Sequence, residues 1–200
     1  MTDPIAPDPA PAAEPDPVIW TEPVTLAEAR TQCRLDGDIT DEDTLISTIL
    51  IPAARRYCEQ HCQRPLLSED LMQWRGQPAP RIELAAGLVA VESVNYMDAD
   101  GVEQTLPPAR YYTDTAEHIG TVQLLGGQWP AMQLHHPKPL RIQYRAGWPT
   151  DAVPADIKQA MLLLIAHWYD NREAVVIGTI TSNLDFAVAA LLAPYRIHTI

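Results

Sequence analysis

The stretch VPADIKQAMLLLIAHWYDNREAVV, residues 153–176, decides how the chain is read. Pro154 suits the first turn of a helix, where its missing N–H costs nothing, and Asp156 sets a carboxylate near the positive end of the helix dipole. Ile157, Met161, Leu164, Ile165 and Trp168 recur at i, i+4, i+7, i+8 and i+11, one apolar stripe at helical period. Leu162, Leu163, Ala166 and Tyr169 fill much of the other side. A helix over 154–173 with so wide an apolar surface is covered from more than one direction. It is either fully central in its own fold or shared with a neighbouring subunit, and the expected shared residues are Ile157, Met161, Leu162, Leu163, Trp168 and Tyr169. Arg172 and Glu173 close the helix with charges suited to a salt-bridged rim between subunits.

Outward from that helix, the N-terminal side is also helical. Thr25-x-x-Glu28 forms a capping box that opens a short helix to about Leu35, with Leu26, Ala29 and Cys33 facing inward. The acidic link DGDITDED follows, and is expected to supply the N-cap of a longer helix over 42–62. Pro52 lies inside that second pattern and should kink or divide it. After a loop through Gly178, a last helix is expected over 185–192, stopped by Pro194.

Between the helical parts the period changes to two. Residues 81–84, 88–96, 102–106, 111–113, 121–124 and 140–144 alternate or are rich in β-branched and aromatic side chains. Asp98-Ala-Asp-Gly101 is a hairpin signal. Arg141, Gln143 and Arg145 should point to one face and Ile142 and Tyr144 to the other, as on a half-buried sheet. The fold class expected is α+β: a helical core of about four helices with an inserted small antiparallel β module. The division is residues 1–23 as an extended arm, 24–65 and 149–200 as the two helical parts, and 66–148 as the insert.

The arm holds seven prolines, five acids and no base, and Val18-Ile19-Trp20 is its one apolar cluster. Such a segment cannot bury enough surface to offset chain entropy. In polyproline II it would reach about 70 Å, which would let Trp20 anchor on a neighbour. The whole chain carries a net charge of −12, and it stays acidic without the arm. Its fourteen basic residues are scattered, whereas a grip on phosphates needs a basic stripe, so sequence-specific nucleic-acid binding is not expected. Acidity does not exclude a pore through which DNA slides without sticking. Three cysteines without framework spacing point to reduced thiols in a cytoplasm. No apolar run reaches membrane-spanning length, and the N-terminus lacks a secretory pattern, so neither a membrane nor export is expected.

Cys58-x-x-His61-Cys62, with Cys33 in reach, is the best metal candidate. All three adjacent ligand types sit on one helix end, however, and buried thiols are the expected reading. Asp36 to Asp43 fails the calcium-loop spacing because glycine is second. His167 reads as a core or interface histidine, and His135-His136 as an exposed turn. No G-x-S-x-G, H-E-x-x-H or phosphate-loop motif occurs. No catalytic residue, metal or cofactor is therefore assigned, and the chain is expected not to be an enzyme.

Four stretches together resemble the head–tail connector, or adaptor, family of long-tailed phages, prophages and gene-transfer particles. They are TLAEARTQCRLD (25–36) with Asp43-x-Leu45-Ile46; AARRYCEQHCQRPL (53–66); the strand end Tyr144-Arg-Ala-Gly-Trp-Pro149; and residues 153–178 with the terminal LLAPYR (191–196). They span about 24–196, and the β module matches most loosely. The resemblance implies a homo-oligomeric ring, commonly of about twelve copies, docked on the portal at the head–tail junction of a particle assembled in the bacterial cytoplasm. It would extend the DNA channel and give a platform to the next connector, stopper or tail protein. It also places the C-terminal tail (Tyr195, Arg196, Ile197 and Ile200) against the portal protein. The alternatives are a monomeric protein-binding adaptor module, separable by mass in solution, and a small metal-dependent hydrolase, separable by bound zinc.

Overall fold

The computed structural model describes residues 22–36, 40–116, 119–126, 128–132, 137–171 and 182–197. Trp20, the Arg172–Glu173 pair, His135-His136 and Ile200 lie outside them. The fold is α+β, with helices at both ends of the described chain and antiparallel sheets between them in sequence.

Helix α1 (Leu26–Gln32) begins at the capping box. The Glu28 N–H donates to Thr25 Oγ1 at 3.2 Å, and the Thr25 N–H donates to Glu28 Oε2 at 2.7 Å. The backbone bond from Thr25, then that from its hydroxyl, holds the Glu28 carboxyl below its usual range. Arg34, with φ 56°, turns the chain out of the helix. Arg30 then grips both oxygens of Asp43 at 2.8 Å and the Asp36 carbonyl at 2.9 Å, which closes the acidic link. Glu42 does occupy the next N-cap position but makes no side-chain cap bond. Its carboxylate instead accepts from the Tyr169 hydroxyl.

The expected second helix is one continuous rod in three parts: α2 (Asp43–Leu45), a π turn (Ile46–Leu50) and α3 (Ile51–Cys62). Pro52 cannot donate to the carbonyl one turn back. The π turn immediately before it takes up the mismatch, so the pattern is divided there, as Pro52 leads one to expect, without a loop between the parts. The hydroxyls of Ser47 and Thr48 donate to the carbonyls of Asp43 and Thr44, each at 2.6 Å. Gln63, with φ 57°, ends α3 ahead of Pro65.

Among the described residues seven strands follow: β1 (Glu69–Arg75), β2 (Arg81–Ala86), β3 (Leu88–Met97), β4 (Glu103–Thr105), β5 (Tyr111–Asp114), β6 (Ile119–Leu124) and β7 (Leu140–Ala146). One sheet has the order β1-β7-β3-β4 and the other β2-β6-β5, with all pairs antiparallel. Strand β1 has no counterpart among the expected strands. Asp98 closes the β3–β4 hairpin by accepting from the N–H groups of Asp100 (3.0 Å) and Val102 (2.9 Å), with Gly101 at φ 81°. The inner face, with Ile82, Leu84, Val94, Val122, Leu140 and Ile142, forms one apolar cluster. The Tyr144 hydroxyl bridges the sheets, accepting from the Ala85 N–H at 3.3 Å and donating to Gln73 Oε1 at 3.4 Å.

The helices make a second cluster around α4 (Ala155–Asp170). Ile157, Ala160, Met161, Leu164 and Ile165 are buried against α1, the π turn, α3 and α5 (Ser182–Leu192). Burying each of the larger four stabilises the fold by about 1.5–3 kcal/mol relative to exposure. The two ends of the β region are stitched together where they meet the helices. The Trp148 N–H donates to the Leu66 carbonyl at 3.1 Å, and the Ser68 N–H donates to the Trp148 carbonyl at 2.8 Å.

Candidate assembly surfaces

Helix α4 is the central helix of its own fold. Ile157 and Met161 are fully buried inside the chain, so they are corrected from expected subunit contacts to core residues. Trp168 and Tyr169 are half-buried and engaged within the chain. Trp168 meets Tyr57 edge-on at 6.3 Å, and Tyr169 bonds Glu42. Leu162 and Leu163 remain partly exposed. Leu162 lines an open groove of ≈ 350 Å³ with Ala27, Glu28, Thr31 and Gln32 of α1. His167 is half-buried and lies 3.3 Å from the Asn171 side-chain amide, at the end of the helix.

The C-terminal tail is held by the fold as far as it is described. The Tyr195 hydroxyl donates to Asp156 Oδ2 at 3.0 Å, and its ring meets Trp148 edge-on at 6.2 Å. The Ile197 N–H donates to the Cys62 carbonyl at 3.0 Å. Trp148 and Asp156 thus give Tyr195 an intramolecular reason for its position. Arg196 is exposed.

Burial pushes the Cys58 thiol up to about 12 and the Cys62 thiol up to about 11. Neither is a ready thiolate for metal binding or attack at neutral pH. Among the described residues, no group of three or more His, Cys, Asp or Glu side chains is placed to hold a metal ion. No helix among them is long and apolar enough to cross a membrane.

Two surfaces escaped sequence reading. The outer face of the first sheet carries Met72 and Trp74, both well exposed, beside a polar lattice. In that lattice Arg145 pairs with Asp70 (2.8 Å) and Glu92 (3.0 Å), Arg141 pairs with Glu103 (2.7 Å), and Arg141 lies 5.6 Å from the centre of the Trp74 ring. Alternation within EDLMQWR was the available signal, and it was masked because Leu71 and Met72 put apolar groups on both faces. The second surface is Phe186 on α5, the chain's one phenylalanine and 77% exposed.

The fold is shared with chains of particle necks. The chain is 24% identical to a chain in a structure of the neck of an empty GTA particle computed with C6 symmetry, at a TM-score of 0.70, covering 88% of this chain and 91% of that one. A chain from the virion of a native gene transfer agent particle is 23% identical, at a TM-score of 0.70, over 88% and 91%. One from the neck of a native GTA particle computed with C12 symmetry is 22% identical, at 0.66, over 88% and 89%. No protein-family model matches the chain, and no curated protein matches it.

Proposed function

We propose that this chain is a structural head–tail connector of a phage-like, gene-transfer or prophage-derived particle. The observation that carries the reading is the fold shared along 88% of the chain with a neck component. The four sequence stretches, at 25–36 with 43–46, 53–66, 144–149, and 153–178 with 191–196, support it independently of the coordinates. In this reading copies of the chain close into a ring beneath the portal protein, extend the DNA channel and present a platform to the next connector, stopper or tail protein. Residues 24–65 and 149–200 form the connector core and 66–148 its insert. The role is positional and not enzymatic. The acidic balance of the chain suits DNA passing through without sequence-specific binding.

Immunogold labelling of purified particles with an antibody against this chain tests the reading. Label is expected at the head–tail junction. Label at the capsid shell or tail tip, or particles without the chain, would overturn it.

A further inference from the structure

Helix α4 is flanked by α1 on one side and α5 on the other. Lys158 and Leu162 face α1: the Lys158 ammonium acts on Glu28, and Leu162 lines the groove with α1. Asp156 faces the end of α5, where Tyr195 binds it. At about 100° per residue, Asp156 lies about 160° around the helix from Lys158. On α5 the core side carries Val188 and Leu192, both buried, and Phe186, about 160° around the helix from Val188, faces away from it.

We infer that Phe186 of one copy seats in the Leu162 groove between α1 and α4 of the next copy. The inference rests on the ring reading above. A ring with one kind of subunit needs a left face and a different, complementary right face, because its contacts are heterologous. Phe186 and the groove are such a pair: a projecting aromatic side chain and a ≈ 350 Å³ concavity. Within the chain Phe186 is exposed and is not among the residues lining the groove.

The chemistry of the two surfaces agrees. The groove wall is Ala27, Thr31, Gln32 and Leu162, and its one acid, Glu28, is tied into the capping box by Thr25. An aromatic ring placed there leaves no charge without a partner. On α5 no charged residue follows Asp185, so the helix surface around Phe186 is free of charge toward its C-terminus. Lys158, one turn before Leu162, stands where Asp185 of the incoming copy would find an opposite charge.

The test uses full-length chains carrying Cys33→Ser, because Cys58 and Cys62 are buried and poorly reactive. One version adds Phe186→Cys and the other Thr31→Cys, and both are produced together in cells making particles. A short bis-maleimide applied to purified particles is expected to give a cross-linked dimer only when both versions are present. In parallel, Phe186→Asp should lower the yield of tailed particles by on the order of tenfold or more, the equivalent of about 1.4 kcal/mol, while Phe186→Leu should not. Rings seen by microscopy without the cross-link would overturn the contact and leave the connector reading standing. An intrachain cross-link in a chain bearing both cysteines would likewise overturn it, by placing Phe186 on its own groove. Particles without rings of this chain would overturn both.

Discussion

The Arg64 guanidinium lies 3.8 Å from the centre of the Trp148 ring, and Tyr195 meets the same indole edge-on at 6.2 Å. Three distant parts of the sequence thus meet on one side chain: the end of α3, the exit from β7 and the chain following α5. Burial pulls the Arg64 pKa down, as expected for a cation held against an aromatic face and away from water. Trp148 is therefore the pin between the sheets and the helices.

Replacing Trp148 with Ala should lower unfolding free energy by about 3 kcal/mol, the low end of the range for a core Trp→Ala because Trp148 is only half-buried. Arg64→Lys should cost about 1 kcal/mol, because an ammonium cannot stack as a planar guanidinium does. Urea unfolding followed by tryptophan-independent circular dichroism measures both. Equal stability of Trp148→Ala and the parent would remove the pin.

Two glycines with positive φ should respond differently to Ala. Gly147, at φ 109°, faces the Leu67 backbone, and an added Cβ would overlap its carbonyl. Backbone cannot step aside as a flexible side chain can, so Gly147→Ala should cost on the order of 3 kcal/mol. Gly126, at φ 96°, opens onto free space. Gly126→Ala should cost about 1 kcal/mol from strain alone. Thermal unfolding of the two variants gives the comparison, and an equal loss would contradict the close approach at Leu67.

The helices and the hairpin were legible because their signals are local. The Thr25–Glu28 box, the Asp98–Gly101 turn and the alternation from Leu140 to Ala146 each fix a conformation within a few residues. Strand β1 was not legible. It is an edge strand with Leu71 turned inward and Met72 and Trp74 outward, so neither face reads as the apolar one. Helix α4 shows the other limit. Apolar width reports how much of a helix is covered but not by which chain, and here α1, α3 and α5 of the same chain cover Ile157 and Met161. Phe186 carried no periodic signal at all, since a lone aromatic on an alanine-rich helix could equally face the core.

The thiols give a prediction with a definite sign in pH. Cys58 and Cys62 are raised from the ordinary 9.0 to about 12 and about 11, chiefly by burial. Each thiol therefore ionises more readily in the unfolded chain. Their contribution to stability is full below pH 9.0 and is lost as pH rises toward 11 and 12. The slope is at most about 1.4 kcal/mol per pH unit for each thiol. Denaturation between pH 8 and pH 11 should show this decline, and a Cys58→Ser, Cys62→Ser variant should show less of it. At pH 8 a maleimide should label Cys33 alone in the folded protein and all three cysteines in urea. Rapid native labelling of Cys58 would contradict its burial.

The C-terminus separates a structural role from a docking role. Tyr195 and Ile197 are bound to Asp156, Trp148 and the Cys62 carbonyl, so deleting 195–200 should lower stability by about 1–3 kcal/mol through the loss of two hydrogen bonds and an aromatic contact. Deleting only 198–200 removes none of those contacts and should leave the unfolding curve unchanged. Arg196 is exposed, so Arg196→Ala should be nearly silent in unfolding. If the tail meets the portal protein, as the family resemblance implies, the short deletion combined with Arg196→Ala should still give folded protein and filled heads, but few heads joined to tails. Arg is a residue type enriched at interface hot spots, and its loss there commonly costs 2 kcal/mol or more, about thirtyfold in affinity. Counting tailed and untailed particles by microscopy reads the effect directly. Normal numbers of tailed, DNA-transferring particles from that variant would rule out portal docking by the tail and leave Tyr195 a purely structural residue.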